Sequence, residues 1–156
     1  MKLTELVVED AVIADLKATE RDEVIEELVA ALIDADAAPA ELKPTLIDEI
    51  LKREKNGSTG FGKGVAVPHV KHTDLPKLAA AVGISKGGVD FNALDKQPVY
   101  SIFLLLSPKD QPDEHLQAME GIFSNLQKDR FRSFLRQATS KDDVVELLGE
   151  ADAKQI

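Results

Sequence analysis

The 156 residues fit a single domain over 1–156, and a content of 44% hydrophobic but only 4% aromatic residues places the core in Leu, Ile, Val and Ala. A formal charge of −9 argues against binding nucleic acid or anionic membrane surfaces and favours a protein partner with a basic docking face. There is no cysteine, so disulfides, thiol nucleophiles and thiolate metal ligands are excluded, and histidine becomes the leading candidate for covalent chemistry. No apolar run approaches the roughly 20 residues of a membrane span, and no signal-peptide core follows Met1, so a cytoplasmic protein without membrane insertion is expected.

Along the chain, Thr19 with Asp22 three residues on reads as a helix N-cap with an acidic first turn. Val24, Ile25, Leu28, Val29, Leu32 and Ile33 then follow at helical spacing. An Ala/Asp/Pro linker at Asp34 to Pro39 precedes a second stripe of Leu42, Leu46, Ile47, Ile50 and Leu51, which runs to a stop at Asn56-Gly57. Arg53 and Glu54 fall in its last turn.

Asn56 to Gly64 is too rich in glycine for a helix or strand interior and reads as a loop. It gives way to a short strand, Val65-Ala66-Val67, which Pro68 ends. Ala79 to Ser85 and Val99 to Leu106 are apolar runs of strand length, the second continuous enough to be a central strand. From Pro112 the pattern is helical again, with Leu116, Met119, Ile122, Phe123 and Leu126 on one face and His115 near the start. Two shorter helices follow, one carrying Phe131, Phe134 and Leu135, the other opened by a Ser140…Asp143 cap and closed at Gly149. This interspersion without a strict βαβ repeat predicts an α/β three-layer sandwich, a mixed β-sheet flanked by helices on both faces.

Several segments carry candidate chemistry. Gly57 to Lys63 matches most of a nucleotide P-loop, but Gly64 stands where the Mg²⁺-binding hydroxyl belongs and the loop follows a helix instead of a strand. His69, His72 and His115, with a carboxylate, would supply zinc-type ligands, although their spacing has no helical frame to align them. His69 follows an apolar strand and Pro68, which presents its ring at a sheet end beside the glycine loop, where α/β proteins build sites; a plain turn histidine is the alternative. Arg53 is either a solvated cation at a helix C-terminus or a fork for a phosphoryl group. His115 is either a helix-surface residue or a ring that the helix N-terminus keeps neutral, able to donate one directed hydrogen bond.

Taken together, Glu54, six residues, Phe61-Gly62, two residues and Val65-Ala66-Val67-Pro68-His69 closely resemble the active-site signature of the fructose/mannitol/nitrogen-regulatory IIA family of the phosphotransferase system. The resemblance extends to Arg53-Glu54, to Phe91-Asn92-Ala93-Leu94-Asp95-Lys96-Gln97-Pro98-Val99, and to His115-Leu116, and so covers most of the chain. It implies that His69 is the phosphorylated nucleophile, at Nε2, and that Arg53 and His115 stabilise the phosphoryl group, with no cofactor and no metal. One departure is Val70, where the family pattern usually has Gly, Ala or Cys; a branched side chain there is expected to tighten the site or alter partner contact. His72 has no counterpart in the pattern and is expected at the surface.

By that likeness the donor is an HPr-like phosphocarrier, and the acceptor is a IIB cysteine or a regulatory target protein. A free-standing unit with no fused IIB, HPr or membrane domain is expected, and the Asp95 to Val99 stretch is reminiscent of nitrogen-type members, which together tilt the expectation toward regulation. Readings from other classes are a docking module never phosphorylated on His69 and a hydrolase built on a histidine metal site.

Overall fold

In the computed structural model, which describes residues 1–156, the chain opens with a single helical turn, α1 (Leu3–Leu6), and a strand, β1 (Val7–Ile13). The first amphipathic stripe forms α2 (Arg21–Asp34), with Val24, Ile25, Leu28, Val29 and Leu32 all buried. Its entry differs from the predicted cap. Glu20 occupies the cap position without a side-chain bond, and the preceding loop is held instead by the Glu27 carboxylate, which accepts from the backbone N–H groups of Lys17 and Ala18 at 3.1 and 2.9 Å.

A 3₁₀ turn at Ala40–Leu42 leads into α3 (Lys43–Lys55), which stops at Asn56 as its sequence predicts. The glycine-rich segment is not all loop: β2 (Gly60–Gly62) and β3 (Val65–Ala66) form a small antiparallel hairpin. Its turn requires φ of +112° at Gly62 and +75° at Gly64, a region where glycine carries no Cβ penalty. A hairpin here, without a following helix, also removes the geometry of a P-loop.

Pro68 does not end the sheet either. β4 (His69–His72) resumes on the same edge as β3, and both pair in parallel with β6 (Val99–Pro108). Proline lacks an N–H, but its carbonyl still accepts from Leu105 N at 3.0 Å, so the ladder continues across it. With β5 (Ala79–Val89) the order is β1-β5-β6-β3-β2, β4 lying on β6 beyond β3. β1 is parallel to β5 and β5 antiparallel to β6, giving the mixed sheet expected, with β6 inside it.

Three helices follow: α4 (Pro112–Leu126), α5 (Asp129–Gln137) and α6 (Lys141–Asp152). Ser140 caps α6 through its hydroxyl, which accepts from Asp143 N at 3.1 Å, but the helix passes through Gly149 and continues to Asp152. Asp152 is fixed there by accepting from Leu3 N at 2.7 Å and from Thr4 N at 2.9 Å, which ties α6 to the chain start.

Alternation along β6 divides the interior. Ile102, Leu104 and Leu106 face α2 and α3, while Phe103 and Leu105 face α1, α4, α5 and α6. All five are fully buried, and each contributes about 1.5–3 kcal/mol relative to exposure. The result is the three-layer α/β sandwich.

Candidate active site

His69 opens β4, one residue after Pro68, and its Nδ1 lies 2.8 Å from the carbonyl oxygen of Val67. A carbonyl only accepts, so Nδ1 carries the proton and Nε2 holds the free lone pair. The segment that supplies this carbonyl is itself braced. Glu54, in the last turn of α3 and only 3% exposed, accepts from the backbone N–H of Thr59 at 3.2 Å and from the Thr59 hydroxyl. The Thr59 carbonyl in turn accepts from Val67 N at 3.4 Å. A buried carboxylate is thus linked through two backbone segments to the orientation of the His69 ring.

His115, in the first turn of α4, approaches from the helical layer over the same face of the sheet. The ring centroids of His69 and His115 are 5.8 Å apart at 52°. His115 is buried, not a helix-surface residue, and its Nδ1 is 2.7 Å from the hydroxyl of Ser107, a fully buried residue of β6. Burial is the main reason its pKa lies below the ordinary imidazole value, and the charge of Lys71, with that of His69 when its ring is protonated, pushes it the same way. The ring is therefore neutral at pH 7. A Ser107 hydroxyl donating to Nδ1 leaves an Nε2–H to donate outward.

Arg53 lies on the exposed side of α3, the helix that leads into the glycine-rich turn, and its Nη1 donates to the Gly57 carbonyl. The structure brings the two histidines together; Arg53 makes no hydrogen bond to either ring, and its remaining guanidinium nitrogens are free. Pairing of Lys71 with Ser107 puts Lys71 on the His69 face of β4, two residues along. Val70 is on the other face. It is buried against the α2–α3 core, so its branched side chain does not tighten the site as expected but packs in the interior.

His72 alternates to the face opposite His69, and its Nδ1 accepts from Asp74 N at 3.0 Å. The three histidines do not converge, and no group of three His, Asp or Glu side chains has the spacing of a metal site. No hollow of the surface is lined by His69, His115 or Arg53, so the site is an open face. Sequence reasoning did not assign roles to Ser107, Thr59, Lys71 or Glu54. The available signals were parity in the strands, which puts Ser107 on the face of Leu105, and the lone buried carboxylate of the signature.

Comparison with known proteins agrees with the fold and with the family resemblance of the sequence. Residues 5–151 match the model of the family described as phosphoenolpyruvate-dependent sugar phosphotransferase system, EIIA 2. The chain is 32% identical over 152 residues to the fructose-specific EIIABC component of Bacillus subtilis, covering 97% of this chain but 24% of that much longer protein. It is 36% identical over 104 residues to a nitrogen regulatory protein of Pseudomonas aeruginosa, covering 67% of this chain and 68% of the relative. Among solved structures, the nitrogen regulatory protein IIA-Ntr of Neisseria meningitidis superposes with a TM-score of 0.77 at 26% identity, covering 94% of this chain and 98% of that one. The enzyme IIAMTL of Escherichia coli, solved in complex with phosphorylated enzyme IIBMTL, shares the fold with a TM-score of 0.76 at 21% identity, covering 92% and 99%. The chain belongs to the EIIA 2 family of the phosphoenolpyruvate-dependent sugar phosphotransferase system.

Proposed function

We propose that this protein is a phosphocarrier that accepts a phosphoryl group from phospho-HPr on Nε2 of His69. The observation that carries this reading is the Val67 carbonyl bound to Nδ1–H, which leaves Nε2 as the nucleophilic nitrogen beside a second, neutral histidine. Nε2 attacks phosphorus in line, the N–P bond of the donor phosphohistidine breaks, and the departing HPr imidazole keeps the electron pair. No proton moves in this step. The His69 ring becomes positive, and its Nδ1–H bond to the Val67 carbonyl strengthens as it does so.

His115 donates from Nε2 to a phosphoryl oxygen, and Arg53 swings its free nitrogens onto the same group while Nη1 keeps the turn. Phosphoryl transfer is dominated by such positioning and charge stabilisation, so neither a metal nor a nucleotide has a step to perform. The open face around His69 suits a protein donor and acceptor. The acceptor is a IIB cysteine or a regulatory target. The Asp95-Lys96-Gln97-Pro98-Val99 stretch favours regulation, and the cytoplasm, where these partners work, is its place.

Incubation with phosphoenolpyruvate, enzyme I and HPr tests the reading by intact mass. One acid-labile phosphoryl group on the wild type and none on His69→Ala is the expected result. Phosphorylated His69→Ala, or an unlabelled wild type beside a competent HPr, overturns it, and the second outcome leaves a docking module.

A further inference from the structure

At the far end of β6 from His69, a hollow of about 470 Å³ is lined by Lys63, Asp129, Arg132, Ser133, Arg136 and Gln137, with no apolar residue among them. The chain as a whole is strongly acidic, yet between 128 and 136 it carries Lys128, Arg130, Arg132 and Arg136 against Asp129 alone. Asp129 is occupied by Arg132, whose Nη1 also donates to the Leu126 carbonyl at 2.7 Å. Arg136 and Lys63 have no carboxylate in ion-pair range.

These two cations are held in place by other means. The Arg136 guanidinium lies 3.7 Å over the centroid of Tyr100, which fixes its plane and leaves its N–H edge without an acceptor. Lys63 sits at φ +61° in the β2–β3 turn, its backbone N–H on Asp95 at 3.2 Å and its Nζ on Gln127 at 3.3 Å, with protons to spare. The Ser133 hydroxyl accepts from Gln137 Nε2 at 3.1 Å, so its own proton is unused. A planar fork and a hydroxyl from α5 and an ammonium from the β2–β3 turn converge on one polar hollow, which is the donor set of a phosphate group.

We propose that this hollow binds the phosphate of a small sugar phosphate. An all-polar lining suits a hydroxylated sugar; no lining residue is aromatic, and the Tyr100 ring is already covered by Arg136, so neither offers a face to stack a nucleobase. The site is separate from His69: Gln127 lies about 18 Å along α4 from His115. The inference therefore stands whether or not His69 is phosphorylated.

The test is an amide NMR titration of the full chain, in a His69→Ala background, with inorganic phosphate and with a hexose monophosphate. The expected result is saturable shifts at Lys63, Ser133, Arg136 and Gln137, tighter for the hexose monophosphate and weakened roughly tenfold by Arg136→Gln or by Lys63→Gln. Shifts confined to the Arg53–His115 end, unchanged affinity in both folded variants, or no saturable shift at millimolar ligand overturn the proposal. Equal affinity for the two probes overturns the assignment to a sugar and leaves free phosphate as the ligand.

Discussion

The Nδ1–H of His69 donates to the carbonyl of Val67 over 2.8 Å, and this single bond leaves Nε2 as the nitrogen with the free lone pair. Val67 precedes Pro68, whose fixed φ holds the approach to His69, so the carbonyl is aimed by the chain itself. Phosphorus–nitrogen coupling in the labelled protein is expected at Nε2. Coupling at Nδ1 would mean that the Val67 bond breaks before transfer.

Glu54 and Thr59 hold the backbone behind that carbonyl. Glu54→Ala strands the buried N–H and hydroxyl of Thr59, at a cost of about 1–3 kcal/mol each, readable as a lower urea midpoint. It should also slow labelling of His69, while Glu54→Gln, which keeps an acceptor oxygen, restores most of the rate. Folded Glu54→Ala labelled at the wild-type rate would limit Glu54 to stability.

His115 should titrate below the ordinary value of about 6.5 in an NMR pH series, first because it is buried. Its folded pKa is depressed, so the unfolded chain takes up the proton first. The neutral ring contributes its full stability above about pH 6.5, and that contribution is lost as pH falls through the lowered folded value. Lys71→Gln should raise the His115 midpoint without restoring the ordinary value, since burial remains. An unmoved midpoint would place the Lys71 ammonium away from the ring.

Val70 separates packing from chemistry. Because it faces the α2–α3 core, Val70→Ala is expected to lower stability by about 1–3 kcal/mol while the folded variant is labelled at the wild-type rate. A change in rate at unchanged stability would put its side chain in the site instead.

Arg53→Lys should slow transfer, since an ammonium cannot hold the Gly57 carbonyl and grip a phosphoryl group as a planar fork does. Single-turnover labelling with phospho-HPr measures the rate, and an unchanged rate would leave Arg53 as a brace for the turn.

By itself, the amino-acid sequence determined the helices α2, α3 and α4, the two long strands, the mixed sheet between helical layers and the family signature ending at His69. These rest on local periodicity and on residue order, which a linear reading captures. It did not show β1, where Glu9 and Asp10 interrupt the apolar run, nor that the sheet resumes at His69 once Leu105 N binds the Pro68 carbonyl. Nor did it show that the Glu27 carboxylate, and not Thr19, organises the entry to α2. Only the tertiary structure decided that His115 is buried on Ser107, that Glu54 reaches His69 through Thr59 and Val67, and that Val70 and His72 face away from the site. Each of these depends on how neighbouring elements turn back on one another and on which face of its strand a residue falls, which a hydrophobic period does not encode.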